Sequence, residues 1–194
     1  MPSLPALLDL WRSPFPTGND DYTPEKLMKA VRDIMHTDLS QHENSAATGT
    51  MGGHTLSRHV GKSTEDLIAL LAAAPEATEI SCFYHNQNFS ETVIAKAILD
   101  NLHRVYNWYY RIADPAGVPL GTGGGNKKFL HFKSESTFPV GFGYRKVMNL
   151  ADDTYIYERL ISSHVFVKLK RGSINGRDKF IVTAFPCHLV PEAL

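Results

Sequence analysis

Two histidines five positions apart are the side chains best suited to chemistry in this sequence. His54 and His59 lie in the segment Gly-Gly-His-Thr-Leu-Ser-Arg-His-Val-Gly-Lys, which also contains Arg58 and Lys62. An imidazole titrates near neutral pH and can exchange a proton with a substrate hydroxyl. The two neighbouring cations favour an anionic substrate such as a phosphodiester. The segment therefore predicts proton transfer on a phosphate ester; the structural alternative is a capped helix that buries one histidine in hydrogen bonds.

A metal site at this histidine pair is a weaker interpretation. Zinc-binding helices place two histidines four residues apart on one face, whereas a spacing of five turns them about 140° apart on a regular helix. With only two cysteines, Cys82 and Cys187, a four-cysteine zinc site is excluded and at most one disulfide can form. We therefore expect no metal and no cofactor. A metal nuclease built on His54 and His59 is a less favoured alternative.

Two glycine-rich segments carry further basic residues. Residues 121–128 have the composition of a phosphate-binding loop without its spacing, so a flexible loop with two solvated lysines is the preferred interpretation. Residues 141–146 place two glycines in a predicted strand, where glycine marks a bend or the close approach of a ligand or another backbone. Arg145 and Lys146 are therefore candidates to face a phosphate, and the alternative is a bulged strand with solvated bases.

The last predicted strand carries one hydroxyl among apolar side chains. Strand alternation places Ile181, Thr183 and Phe185 on one face. Thr183 is therefore either a hydrogen-bonded core threonine or a donor at a site, and the sequence alone leaves both open.

The elements that must position these residues change from helices to strands near residue 115. Helical spacing and capping signals predict helices over residues 24–35, within 52–61, over 64–74 and over 90–112, with a strand at 79–84. Ser90 is the predicted cap of the longest helix. Alternation then predicts strands at 128–132, 138–150, 164–170 and 179–185, with Asn175-Gly176 as a hairpin signal. Helices followed by strands indicate an α+β domain with an antiparallel sheet.

Charge is balanced overall but not along the chain. The 194 residues carry 20 acids and 20 bases, which argues against binding nucleic acid through a strong overall positive field. The first 50 residues hold seven of the acids and four of the bases, so the remaining chain has a small positive surplus. We therefore expect a local cationic cleft that contacts a few phosphates.

The chain divides into an N-terminal helical extension and linker, residues 1–50, and a domain over residues 51–194. The division rests on a polar stretch at residues 37–53, rich in small residues. No apolar run is long enough to span a bilayer, and from the residues at the start we expect no secretory signal. We expect no membrane partner and a soluble chain that acts in a cytoplasm, that of a target cell if it is delivered; the sequence gives no indication of oligomeric state.

Three segments together resemble the bacterial RNase A-like toxin domains. They are the Gly52–Ser63 motif around the two histidines, the predicted strand at 80–83 and the closing Phe-Ile-Val-Thr-Ala-Phe-Pro of residues 180–186. Such domains are the C-terminal toxic modules of contact-dependent growth inhibition and other polymorphic toxin systems. The resemblance covers roughly residues 51–187. It implies a kidney-shaped α+β fold without the disulfides of the vertebrate enzymes, a metal-independent ribonuclease activity on RNA, and a cognate immunity protein as a possible partner.

The resemblance also implies a catalytic set, which this chain fills only in part. The family uses a histidine from the opening motif, an arginine soon after it, and a threonine and a tyrosine on the end strand. The histidine falls on His54 or His59 and the threonine on Thr183. The arginine position is Leu70 and the tyrosine position is Phe185.

These two departures leave two functional expectations. In the first, the chain is a ribonuclease that uses the 2′-hydroxyl of RNA as nucleophile, with Arg58, Lys62, Arg145 or Lys146 supplying the missing positive charge. In the second, it is a catalytically inactive RNase-like domain that binds RNA or a protein partner.

Overall fold

The fold is taken from a computed structural model that describes residues 25, 29, 38–43, 52–110, 128–175 and 177–191. Most of the predicted helix over 24–35, most of the glycine-rich loop over 121–128, and Gly176 of the hairpin signal lie outside the described residues. The predicted division into 1–50 and 51–194 stays a prediction.

Helices fill the first half of the described chain. They are a 3₁₀ helix at Leu39–His42, α1 at Thr55–His59, α2 at Thr64–Ala72, α3 at Gln87–Asp100 and α4 at Leu102–Tyr110. The capping box predicted for α2 is confirmed. The Asp66 backbone N–H donates to Ser63 Oγ at 3.1 Å, and the Ser63 backbone N–H donates to the Asp66 carboxylate at 3.0 Å. No helix in the described part of the chain is long and apolar enough to cross a membrane.

The prediction of one long helix capped by Ser90 is wrong in two respects. The helix begins four residues earlier because Asn86 is its cap, with Asn86 Oδ1 accepting from the Phe89 backbone N–H at 3.1 Å. Ser90 lies inside the first turn, fully buried, and donates to the Asn86 carbonyl. The helix then breaks at Asn101, whose backbone leaves the helical conformation and whose amide donates to the Ala97 carbonyl at 3.0 Å.

The predicted α+β class is confirmed, and the antiparallel strands form two sheets. The strands are β1 at Glu79–Phe83, β2 at Phe129–Glu135, β3 at Gly141–Asn149, β4 at Thr154–Ser162, β5 at His164–Ile174, β6 at Arg177–Cys187 and β7 at Val190–Pro191. A four-stranded sheet has the order β1-β3-β4-β7, and a three-stranded sheet has the order β2-β5-β6. The residues of β4 carry no strand signal, because the outer half of β4 is exposed on both faces and shows no apolar alternation.

Each sheet packs against its own helices. The larger core joins α3 and α4 to one face of the three-stranded sheet through residues such as Ile98, Tyr106, Leu130 and Val167. The smaller core joins α2 to the four-stranded sheet. The face of the three-stranded sheet that turns away from α3 and α4 is therefore the one that can present polar side chains.

Candidate active site

His59, the last residue of α1, is held in one orientation by a backbone carbonyl of β1. Its Nδ1 lies 2.8 Å from the Ser81 carbonyl oxygen. A carbonyl oxygen can only accept a hydrogen bond, so we assign the ring proton to Nδ1, which leaves Nε2 with a free lone pair. Burial of the ring lowers the pKa of His59 to about 4; the Ser81 bond opposes this shift, and the charges of His54, Arg58 and Lys62 add to it. The ring is thus a neutral imidazole at pH 7, able to accept a proton.

His54 precedes α1 as its N-cap, and its backbone is not helical, with φ −146° and ψ 25°. The 140° separation expected on a regular helix therefore does not apply, and the two imidazole ring centroids lie 6.3 Å apart. Burial lowers the pKa of His54 from its ordinary value, as do Arg58 and Lys168, while Glu43 raises it. Within the described ranges, no three His, Cys, Asp or Glu side chains are grouped as a metal site would require.

Helix α1 is fixed against the edge of β6. The His54 backbone N–H donates to the Val182 carbonyl at 2.9 Å, and the Ala184 backbone N–H donates to Thr55 Oγ1 at 2.9 Å. A side chain at position 53 would collide with the Ile181 carbonyl, so only glycine allows this approach. The start of α1 and the middle of β6 thus form one rigid junction.

Thr183 lies on the face of β6 that turns away from the helices, and the predicted grouping with Ile181 is wrong. The register pairs Thr183 with Lys168 and Ile181 with Leu169, so Val182 is an extra residue, a β-bulge. The bulge breaks the alternation and turns Ile181 into the core. The buried Thr183 Oγ1 makes no hydrogen bond with any described residue. An unpartnered buried hydroxyl costs stability and is a sign of a functional role.

Lys168, which was not among the cations predicted from the sequence, lies beside the histidines and Thr183. It is the direct cross-strand partner of Thr183, and its charge acts on the His54 imidazole. Its ammonium lies 4.7 Å from the centre of the Phe129 ring, and no described carboxylate pairs with it. The strand register is what shows that Lys168 and Thr183 share a face.

Leu70 and Phe185, the two positions at which the sequence resemblance predicts a replaced arginine and a replaced tyrosine, border a cleft of about 500 Å³. Its lining includes Arg58, His59, Leu70, Ser81 and Phe185. The Phe185 ring centre lies 5.1 Å from that of His59, so the aromatic ring stays beside the histidine without a phenolic hydroxyl. Leu70 is 39% exposed, so a hydrophobic side chain borders the cleft at this point. His54, Lys168 and Thr183 are not part of this lining, whereas His59 and Phe185 are, so these two rings lie where the cleft meets the sheet face that carries Thr183.

The three predicted substrate-binding cations differ in their surroundings. Arg58 is exposed and borders the cleft. Lys62 is half-buried, and its backbone N–H donates to Cys82 Sγ at 3.4 Å. Arg145 pairs with Glu79 of β1, at 2.8 and 2.9 Å, and does not border the cleft. The structure therefore brings Arg58 and Lys168 to the histidines and holds Arg145 in an ion pair.

Comparison with known proteins adds a family match. The model of the bacterial CdiA-CT RNAse A domain matches residues 53–186, which include the two histidines, the bulge and Thr183. The crystal structure of a CdiA-CT/CdiI complex from Y. kristensenii 33638 is similar at a TM-score of 0.46 and 20% identity, covering 70% of this chain and 99% of that one. No curated protein matches the sequence significantly.

Proposed function

Because the chain belongs to the bacterial CdiA-CT RNAse A domain family, we propose that it is a metal-independent ribonuclease that cleaves RNA by attack of the ribose 2′-hydroxyl on the adjacent phosphorus. The observation that carries this proposal is the neutral His59 imidazole, whose Nε2 lone pair is left free by the Ser81 bond and whose ring lies beside that of His54. The nucleophile belongs to the substrate, so no metal is needed to generate it.

His59 is the general base in the proposed mechanism. Its Nε2 takes the proton of the 2′-hydroxyl as the 2′-oxygen forms a bond to phosphorus. A histidine whose pKa lies near 4 is almost wholly neutral at pH 7 and can accept this proton. The fixed orientation of the ring removes the entropy cost of positioning the base for each turnover.

Lys168 and Thr183 stabilise the negative charge that develops on the phosphoryl oxygens. They are cross-strand neighbours on one face, so an ammonium and a hydroxyl approach the same phosphate. The Thr183 oxygen is shielded from solvent, and a covering side chain must move before a phosphate reaches it. Lys168 thereby takes over the charge of the arginine that Leu70 replaces.

His54 is the general acid. Its imidazolium donates a proton to the 5′-oxygen as the P–O5′ bond breaks, which leaves a 2′,3′-cyclic phosphate and a 5′-hydroxyl. The acid must be protonated and the base neutral at the same time. Because the His59 pKa is about 4 and that of His54 lies below 6.5, kcat/KM is expected to peak between these values.

The test is cleavage of RNA by the purified chain in EDTA, with the pH profile of kcat/KM. We expect cyclic-phosphate products, an optimum in the acidic range, and a loss of 10²- to 10⁴-fold for His59→Ala, roughly the worth of a general base. The surface histidine variant His85→Ala is the matched control and should keep full activity. Intact RNA at high protein concentration, or cleavage unchanged in a His54→Ala/His59→Ala double variant, would overturn the proposal.

The second candidate function is binding without cleavage, which Leu70 and Phe185 favour since both replace functional groups of the family. It predicts RNA affinity that falls with salt and no cleavage products. A cognate immunity protein stays a prediction from the family. Co-purification of the chain with the product of a neighbouring gene would test that partner directly.

A further inference from the structure

The face of the three-stranded sheet that turns away from the helices carries aromatic rings and lysines well beyond the candidate catalytic groups. We call it the aromatic face and define it by the outward side chains of β2, β5 and β6: Phe129, His131, Lys133, Phe166, Lys168, Lys170, Thr183 and Phe185. The register places His131 beside Lys168 and Phe166 beside both Lys133 and Phe185. The side chains of β2 on this face are exposed, and those of Phe166 and Lys168 are half-buried.

The rings of the aromatic face form a continuous row that starts at the active site. The His59 and Phe185 ring centres lie 5.1 Å apart, and those of Phe185 and Phe166 lie 5.0 Å apart. Phe166 stacks on His131 with centres 6.0 Å apart and planes at 26°. The row thus crosses the sheet from β6 to β2, directly across the strands from Phe185 to Phe166 and diagonally from Phe166 to His131, and ends at an exposed imidazole.

Lysines flank this row, and no described carboxylate neutralises them. The Lys168 and Lys170 ammonium groups lie over the Phe129 and Phe180 rings, at 4.7 and 5.3 Å. Lys133 Nζ lies 2.8 Å from His188 Nε2. The outward side of β2 and β5 carries three lysines and one acidic side chain, Glu135, which lies at the end of β2. The charge of the face is therefore complementary to a polyanion.

We propose that the aromatic face binds an unpaired stretch of the RNA strand next to the scissile phosphate, with bases stacked on Phe166 and His131 and phosphates facing Lys133 and Lys170. This inference rests on the proposed ribonuclease function and adds the form of the substrate. Aromatic rings interleaved with cations are typical of surfaces that bind single strands, because every base has a face that can stack. Paired bases already stack within their duplex and cannot lie on the protein's rings.

The binding test compares a short with a long substrate. The short one is a ribodinucleotide, which is long enough to contact only the proposed catalytic groups. The long one is an unstructured RNA of about 12 nucleotides, within the length that single-strand-binding surfaces cover. Phe166→Leu keeps an apolar side chain and removes the stacking face, and Phe138→Leu is the matched control, since Phe138 is exposed in the loop before β3, outside the aromatic face.

We expect Phe166→Leu and His131→Ala each to raise KM for the long RNA about tenfold, which is the worth of one stacked base. Neither variant should change kcat/KM for the dinucleotide, Phe138→Leu should change neither substrate, and annealing the long RNA to its complement should abolish efficient cleavage. Equal losses on both substrates would mean that Phe166 acts only by supporting Phe185 and His59, and would overturn the proposal. So would efficient cleavage of the duplex.

A second measurement separates this proposal from the proposed catalysis. Fluorescence anisotropy of the labelled long RNA with the His59→Ala protein reads binding without turnover. If the wild-type chain cleaves nothing, the proposed ribonuclease function fails, and weaker binding by His131→Ala would still support the aromatic face. If Phe166→Leu and His131→Ala both leave RNA binding unchanged while the wild-type chain cleaves RNA, the proposed role of the aromatic face is overturned and the catalytic proposal stands.

Discussion

On the four-stranded sheet both basic residues that the sequence singled out have partners, whereas Lys168 on the three-stranded sheet faces an aromatic ring and a hydroxyl. Arg145 pairs with Glu79 across β1 and β3. Lys146 donates to the Ala74 and Pro75 carbonyls and lies 5.1 Å from the Tyr155 ring. Lys168 is therefore better placed than Arg145 to meet an anionic substrate, because no described carboxylate pairs with its charge.

The glycines near the two sheets also differ in what their close contacts hold in place. In β3, a side chain at Gly143 would collide with the Ile80 carbonyl, and one at Gly141 would collide with Pro186 and the Cys82 carbonyl. The close approach predicted for this strand is therefore made by neighbouring backbone and Pro186, which belong to the protein. At Gly53 the close approach also involves backbone, but it fixes the helix that carries both histidines. The four-stranded sheet thus supports the candidate site, and the three-stranded sheet carries its Lys168 and Thr183.

Among these comparisons, we expect the largest difference in kcat/KM between variants that remove the charge of Lys168 and variants that remove the charge of Arg145. Lys168→Met keeps the length and loses the ammonium, and we expect kcat/KM for RNA to fall by about 10² to 10³, as when one donor to an oxyanion is removed. Arg145→Met should leave kcat/KM unchanged, because its guanidinium is already paired with Glu79. Lys168→Arg should restore part of the activity. Equal losses in the two methionine variants would remove the distinction between the sheets.

His59 links the two sheets, and its titration should dominate the acid side of the stability curve. Its pKa is about 4 in the folded chain and near 6.5 when unfolded. A lowered pKa stabilises the fold above pH 6.5, and this contribution is lost as the pH falls through 4. The lost stabilisation is about 3 kcal/mol at most.

Denaturant unfolding of the wild-type chain and of His59→Gln between pH 7 and pH 4 measures this contribution. The two free energies of unfolding should converge as the solution becomes more acidic, since only the wild-type chain loses stability by protonating this ring. Parallel curves would show that His59 does not titrate differently on folding.

Two threonine hydroxyls offer a finer comparison between the sheets. Thr183→Val removes a buried hydroxyl without a described partner, so stability should be unchanged or higher while kcat/KM falls about tenfold, the worth of one neutral hydrogen bond. Thr64→Val instead breaks the 2.9 Å hydrogen bond to the Tyr144 hydroxyl. It should cost about 1 kcal/mol of stability and leave activity intact. Thermal unfolding measures the stability of both variants, and steady-state kinetics measure their activity. A loss of stability in Thr183→Val would mean that the Thr183 hydroxyl has a structural partner.

Local signals in the sequence predicted most elements correctly, and the site depended on what is not local. The capping box at Ser63 and the strand beginning at Glu79 act over a few residues and were confirmed. Asn86 displaced Ser90 as a cap because Ser90 is buried against the core, which no local pattern reports.

The partners of the site residues come from distant parts of the chain. Thr183 faces Lys168 only because a bulge at Val182 shifts the register of β6. The free Nε2 of His59 depends on a carbonyl 22 residues away. Neither the bulge nor this hydrogen bond has a signature in residue types, so sequence reasoning proposed Arg145 and missed Lys168.

The smallest expected effects concern the starts of α1 and α2, which are capped in different ways. Ser63 caps α2 from the adjacent position, whereas Glu43, outside the matched residues 53–186, caps α1 from a distance. Glu43 Oε1 accepts from the Leu56 backbone N–H at 2.8 Å. Ser63→Ala and Glu43→Ala should each cost about 1 kcal/mol of stability.

Only the change at Glu43 should alter catalysis, because its carboxylate also raises the pKa of His54. Glu43→Gln keeps an oxygen for the Leu56 N–H and removes the charge, so it should move the alkaline limb of the kcat/KM profile to lower pH with little change in stability. Ser63→Ala should leave that limb in place. If Glu43→Gln leaves it unmoved, the segment before residue 51 contributes packing alone; if the limb moves, the catalytic unit begins upstream of both the predicted boundary and the family match.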